Sequence, residues 1–327
     1  MTQAIVMPAS GRAELQAVAG DGPLADDEIA GATLASVISP GTELGMQFLA
    51  AEGFPHRPGY GAVFRVDAIG ASVHDVAFGD RFFCIGPHAS RQRCRRGEAV
   101  PVPVGADPVL AAVARLLAIA WAAVGLTRVR PPAWTMVLGC GPIGHLCARL
   151  FRANGYRVLA VEPRADRRRL LAADAELVVA DTVPGADGFW QDRCRLVVDC
   201  SGRAEAVYQA CCRVAKGGEI LLVGVPWDRQ PEPPARDLLW KIFWRHLDLR
   251  SGWEWTLPWE EQIGQPSCHR AGCEAALAAL ADGRLAIAEL VDVVAPDDCQ
   301  KVYDVLCGGG LRDKLFTVFD WSSVPRL

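Results

Sequence analysis

The segment Gly139-Cys140-Gly141-Pro142-Ile143-Gly144 follows the apolar run Thr135 to Leu138 directly and opens a stretch, Gly144 to Asn154, of helical periodicity. Three glycines at that spacing constrain the backbone more than any other part of the chain. The first permits a tight turn, the second a close approach to the main chain, and the third contact between helix and strand. A helix opened in this way leaves its first N–H groups and the positive end of its dipole free for an anion, so the segment reads as a pyrophosphate cradle. The next strand, Arg157 to Val161, runs into Glu162, 18 residues past Gly144, where a carboxylate accepts hydrogen bonds from ribose hydroxyls. That favours NAD. Arg164 and Arg167 are the counter-signal, because guanidinium groups there bind the 2′-phosphate of NADP, or else form a solvated helix face. Glu162 would repel that phosphate, so NAD stays ahead, with NADP as the alternative.

Strand and helix signals alternate on both sides of this segment: strands at Thr135 to Leu138, Arg157 to Val161, Arg195 to Asp199 and Glu219 to Val225, and helices at Gly144 to Asn154, Arg164 to Ala175 and Glu205 to Ala215. Such alternation makes a parallel sheet with right-handed crossovers. An apolar helix, Pro108 to Leu126, precedes it. Residues before about 105 have a different texture, with short strands at Glu28 to Ser39, Gly59 to Val66 and Asp80 to Ile85 between Gly, Pro and Asp turns, which suits a small barrel or sandwich. After Trp253 the chain is irregular, then gives helices at Gly272 to Ala281 and Asp297 to Leu306 and a last strand, Lys314 to Phe319.

With 327 residues the chain has room for two domains and a sizeable core. Its 34 Lys and Arg against 38 Asp and Glu give a net charge of −4 without a long run of one sign, which argues against a nucleic-acid backbone binder. No run reaches the roughly 18 apolar residues of a membrane span. Met1-Thr2-Gln3-Ala4 has no basic stretch leading into an apolar one, so the expectation is a cytoplasmic protein with no membrane partner. The 12 cysteines are scattered among apolar segments without a C-x-x-C pair and read as reduced, structural thiols. Cys268-His269 with Cys273 lacks a second pair and reads as a loop leading into a helix.

These segments together resemble the medium-chain dehydrogenase/reductase superfamily, whose members are alcohol dehydrogenase-like. The likeness is carried by Gly59 to Ala71, Gly79-Asp80-Arg81, Gly139 to Gly144, Val198 to Gly202 and Gly217 to Gly224. It implies an α/β fold, a Rossmann doubly wound parallel sheet plus a β-rich GroES-like barrel domain. The expected domains are 1–110 (GroES-like), 111–252 (dinucleotide-binding) and 253–327 (return to the first). It also implies that Gly139, Gly141, Pro142, Ile143, Gly144, Glu162, Arg164, Ser201 and Gly224 line the cofactor. Zinc-bearing relatives carry Cys-Gly-Thr/Ser-Asp/Glu and Gly-His-Glu segments and a third ligand before the nucleotide domain. Here the same places read Pro40-Gly41-Thr42-Glu43, Gly59-Tyr60-Gly61 and Arg115. The cysteines of the family's structural zinc lobe are also missing, so no zinc is expected. Ser39 to Glu43 resembles the zinc-free branch that includes bacteriochlorophyllide dehydrogenase-type enzymes of secondary metabolism.

Hydride transfer without a metal needs another donor or cation for the developing oxyanion. Thr42, at the superfamily's hydroxyl relay, Tyr60, His88 and Arg115 are the catalytic candidates. Their ordinary structural roles would be a turn cap, a packed aromatic, a loop hydrogen bond and a surface ion pair. Glu43, Trp253 and Trp255 are expected in the substrate pocket, the two indoles as walls for a bulky cyclic or aromatic substrate. Trp240, Phe243, Trp244 and Leu247 recur at helical spacing and read as a buried face or a subunit contact. The expected activity is zinc-independent NAD(P)-dependent oxidation or reduction at a carbinol or carbonyl of a specialised metabolite. The alternatives are an enoyl or quinone-type reductase and a non-catalytic nucleotide-binding protein. A homodimer is expected by analogy with the superfamily.

Overall fold

The computed structural model describes residues 2–20, 22–172, 174, 176–185, 189–227, 233–310 and 313–324. Its contacts divide the chain into two units, residues 1–115 with 273–327, and residues 116–272. The sequence reading put the borders after 110 and 252. Residues 253–272 stay with the second unit, where the His269 and Arg270 N–H groups donate to the Pro258 and Trp259 carbonyls.

In the first unit, β1 (Thr2–Ala9), with Ala4 to Met7 all buried, pairs antiparallel with β2 (Arg12–Val18) as a hairpin. The strands β3 (Glu28–Val37), β4 (Ala62–Ile69), β5 (Arg81–Cys84), β6 (Arg91–Arg95) and β7 (Val100–Pro101) follow. Between β3 and β4 the chain makes α1 (Pro40–Glu43), continued by one wide helical turn to Phe48. After β7 comes α2 (Pro108–Ala112), capped by the Asp107 carboxylate on the Val109 N–H. Val113 separates it from α3 (Ala114–Leu126), so the single helix expected there is two.

The second unit continues with β8 (Trp134–Leu138), α4 (Pro142–Ala153), β9 (Arg157–Val161), α5 (Ala165–Ala172), β10 (Val178–Ala180), β11 (Cys194–Asp199), α6 (Ala204–Cys211), β12 (Glu219–Leu222), α7 (Ala235–Arg245) and β13 (Asp248–Ser251). The expected end of the fifth helix at Ala175 lies outside the described residues. All six strands run parallel in the order β10-β9-β8-β11-β12-β13. The order reverses between β8 and β11, and the glycine turn leaves the end of β8 at that switch point, where such sheets bind ligands.

Helix α8 (His269–Ala281) leads back to β14 (Val291–Val294), α9 (Cys299–Cys307) and β15 (Phe316–Asp320). β15 inserts between β14 and β3, so the first unit's sheet runs β14-β15-β3-β4-β5-β7, with β6 also on β3. One core joins Ile5, Met7, Ile38 and Phe48 to Tyr303, Phe319 and Trp321. The fold is therefore α/β, a doubly wound parallel sheet and a separate β-rich unit.

Of the four residues expected as a buried face or a subunit contact, Leu247 is buried in the sheet's core, whereas Trp240, Phe243 and Trp244 are not buried: they are 51%, 70% and 56% exposed, and Leu239 beside them 63%. Leu238, on the opposite side of α7, packs on the sheet's core instead, which turns the aromatic stripe outward.

Candidate active site

The glycine turn is built by close approach. Gly139 has φ 76°, a conformation that suits glycine, and a Cβ there would stand 2.8 Å from the Ser201 Cα. A Cβ on Gly144 would stand 1.7 Å from the Gly139 carbonyl oxygen, and one on Gly224 2.5 Å from the Gly202 nitrogen. The turns after β8, β11 and β12 thus close on one another, with Ser201 fixed by two hydrogen bonds, from its N–H and hydroxyl, to Asp199. Gly141 sits at the N-cap of α4 and Pro142 at its first turn, followed by Ile143, so the N-cap residue spends no side-chain hydrogen bond on the first N–H groups of the helix.

Glu162, just past β9, is buried against this turn. Its carboxylate accepts from the Cys140 N–H at 2.7 Å and the Arg164 N–H at 2.9 Å. The surrounding guanidinium groups are engaged. Arg164 makes two bonds to Asp166, whose carboxyl is held well below its ordinary range by that pairing. Arg168 donates to the Glu162 and Pro163 carbonyls. Arg167 stands 3.8 Å from Glu162, and its Nη1 would be 3.5 Å from a Cβ on Gly141.

In the first unit three of the expected residues meet. The Tyr60 hydroxyl donates to Ser39 Oγ at 2.6 Å and lies 3.4 Å from Thr42 Oγ1. The Arg115 guanidinium carbon sits 4.3 Å above the centre of the Tyr60 ring, a cation–π arrangement. Arg115 is 1% exposed, not a surface ion-pair residue, and Gly61 makes room for it: a Cβ there would be 2.6 Å from the Arg115 Cβ. Thr42 and Tyr60 are half-buried and reachable.

Glu43, expected at the pocket, and His88, expected in catalysis, are both wholly buried, with 0% exposure. They bond to each other, His88 Nε2 to Glu43 Oε2 at 3.1 Å. The same oxygen accepts from the Tyr303 hydroxyl, and Oε1 from the Ser39 N–H at 2.7 Å. His88 Nδ1 meets Ser36 Oγ at 2.7 Å, which accepts from the Trp321 indole N–H at 2.8 Å. Burial, and then the Glu43 carboxylate, push the Tyr303 phenol well up. Ser36, Ser39, Tyr303 and Trp321 are the members that sequence reasoning missed. For Tyr303 a signal existed, because Cys299, Val302 and Tyr303 form the buried face of an amphipathic helix. Trp253 and Trp255 are 58% and 44% exposed in the second unit, Trp255 with its ring 4.8 Å from that of His269. Among the described residues no group of three or more His, Cys, Asp or Glu could hold a metal ion.

No family model matches the chain. It is 33% identical over 223 residues to the 2-desacetyl-2-hydroxyethyl bacteriochlorophyllide A dehydrogenase of Cereibacter sphaeroides, a match covering 62% of this chain and 64% of that protein. The chain thus spans just under two thirds of that relative's length. Galactitol-1-phosphate dehydrogenase from Escherichia coli superimposes with a TM-score of 0.82 at 15% identity, over 97% of this chain and 99% of that one. A putative zinc-binding dehydrogenase from Sinorhizobium meliloti 1021, bound to NADP, gives 0.77 at 20% identity over 98% and 99%. The parallel sheet with its glycine turn, the separate β-rich unit and these likenesses agree: the chain has the fold of the medium-chain, alcohol dehydrogenase-like superfamily.

Proposed function

We propose that the chain is a zinc-independent oxidoreductase that moves a hydride between NAD(H) and the carbinol or carbonyl carbon of a bulky cyclic or aromatic metabolite. The observation that carries this reading is the guanidinium of Arg115 stacked on Tyr60, beside the hydroxyls of Thr42 and Ser39. Zinc needs thiolate, imidazole or carboxylate donors at about 2.0–2.3 Å. A phenol, two aliphatic hydroxyls and a cation do not fit it. They do fit an oxyanion, because a buried cation and hydroxyl donors stabilise charge as it develops on the substrate oxygen. When bound, the nicotinamide ring supplies the hydride acceptor or donor. In carbinol oxidation the substrate carbon would give its hydride to the nicotinamide; because the Tyr60 hydroxyl donates to Ser39, its oxygen is free to accept from the substrate hydroxyl, whose proton would leave to solvent by way of the half-buried Tyr60 and Thr42 hydroxyls.

The glycine turn fits a dinucleotide pyrophosphate, and the guanidinium groups around Glu162 already have partners, which supports NAD over NADP. Titrating tryptophan fluorescence with each reduced cofactor is expected to give an NADH affinity at least about tenfold tighter, roughly 1.4 kcal/mol. Equal or reversed affinities would sink the NAD assignment, and no binding at all would favour a non-catalytic protein. A screen of cyclic and aromatic alcohols, ketones and enones then defines the substrate, with ethanol turned over poorly. Activity is expected to survive dialysis against a chelator, and stoichiometric zinc in active protein would refute the metal-free reading.

Tyr60→Phe is expected to lower kcat at least about tenfold, in the range of one lost proton-handling group, with the NADH affinity unchanged. A kcat within twofold of the parent would remove Tyr60 from the site.

The reading includes a homodimer. β13 is the outer strand of the six-stranded sheet, and the exposed stripe of α7 leads into it. Exchanging Trp240 and Phe243 together for Glu is expected to leave a monomer in sedimentation, because charge on a buried aromatic contact is costly. A parent protein that already sediments as a monomer would refute the dimer.

A further inference from the structure

A carboxylate and an imidazole that are both wholly buried are costly to desolvate, and they persist where hydrogen bonds satisfy them. The Glu43 network meets that condition. Glu43 Oε2 takes the Tyr303 hydroxyl and His88 Nε2, and Oε1 takes the Ser39 N–H. With the Nε2 proton on His88, its Nδ1 accepts from the Ser36 hydroxyl, and Ser36 accepts from Trp321. The chain at Gly59 packs against the same histidine: its φ is 95°, and a Cβ there would stand 2.5 Å from the His88 backbone nitrogen and 2.8 Å from the imidazole Cγ. Tyr60 is the next residue. The network therefore grips the Tyr60 hydroxyl's environment from two sides, through Ser39, which accepts its hydrogen bond, and through the backbone that delivers Tyr60.

Resting on the reading above, we infer that Glu43, held by His88 and Tyr303, is a positioning residue that locks Ser39 as the acceptor of the Tyr60 hydroxyl, and so sets where the Tyr60 oxygen points. Ser39 is bound at both its ends, by Glu43 at the N–H and by Tyr60 at the hydroxyl. Glu43→Gln keeps the shape but not the chemistry, because one amide oxygen cannot accept from Ser39, His88 and Tyr303 together. Tyr303→Phe removes a single hydroxyl and serves if Glu43→Gln does not fold.

The test needs no substrate at first. The chain has four tyrosines, Tyr60, Tyr156, Tyr208 and Tyr303. With 13C at the ring carbon bearing each hydroxyl, four signals are expected, and Tyr60→Phe identifies that of Tyr60. In Glu43→Gln the signals of Tyr60 and Tyr303 should move, while those of Tyr156 and Tyr208 stay; in Tyr303→Phe that of Tyr60 should move. If the Tyr60 signal stays in whichever variant folds, the inference is wrong. With the alcohol found by the screen, Glu43→Gln should lower kcat at least about fivefold in the parent, with NADH affinity unchanged, and change it less than twofold in the Tyr60→Phe background. Equal losses in both backgrounds would show that Glu43 acts without Tyr60. A Tyr60→Phe enzyme with full kcat would instead overturn the proposed function and leave the NMR result standing.

Discussion

Gly144→Ala is expected to abolish nucleotide binding. The added Cβ would stand 1.7 Å from the Gly139 carbonyl oxygen and 3.2 Å from the Cys200 Cβ. The nearest of these is backbone in the turn itself, which cannot swing aside as the end of a flexible side chain can. Helix α4 must then shift away from β8, carrying its first N–H groups out of register with the pyrophosphate. The NADH dissociation constant should rise at least about a hundredfold, roughly 2.7 kcal/mol, and overpacking should cost about 1–3 kcal/mol of stability in urea unfolding. Gly141→Ala is the control. Its Cβ meets nothing closer than the Arg167 guanidinium at 3.5 Å, so stability should hold while affinity falls only through filling of the cradle. If Gly144→Ala binds NADH as the parent does, α4 does not close on the turn as described.

His145→Leu is expected to remove an acid weakness. His145 is 1% exposed on α4, and neither ring nitrogen has a hydrogen-bond partner among the described residues. Burial, assisted by the Arg149 charge, lowers its pKa to about 3 from an ordinary value of 6.5. Between those values the unfolded chain binds a proton that the folded chain refuses. This stability is complete above about pH 6.5 and is lost as pH falls, levelling off near 3. The loss amounts to about 4–5 kcal/mol at most. Leucine should flatten that part of the profile, and at pH 7 it should add about 1 kcal/mol by removing unsatisfied nitrogens. Urea midpoints at pH 7, 5 and 4 measure both effects. A parent and variant with parallel pH profiles would mean that water reaches the imidazole.

Where function is carried by local pattern, the sequence is readable. Gly139 to Gly144 runs from the end of β8 into the first turn of α4 because turn, helix start and close packing all act within six residues. Glu162 lands at the turn because the length of α4 and the spacing of β8 and β9 fix where β9 ends. Long-range pairings leave no such mark. Glu43 is 45 residues from His88 and 260 from Tyr303, so nothing local says that its charge is buried rather than lining a pocket. The strands β6, β10, β13 and β14 have at most five residues each, too few for alternation to stand out. The stripe on α7 was visible as a stripe, but helical spacing says only that apolar groups share a face. Whether that face meets core or solvent depends on Leu238 winning the contact with the sheet.

The insertion of β15 between β14 and β3 has a consequence for how the protein is made. Residues 116–272 are continuous, so every strand and helix of their unit has left the ribosome before β15 is made. The first unit has to wait with β3 missing a neighbour, Glu43 without Tyr303, and Ile5 and Met7 without Phe319, until α9 and β15 have been made. Its exposed strand is then open to wrong pairing during synthesis. A ribosome stalled before β15 should hold a protease-resistant middle and a cleavable beginning.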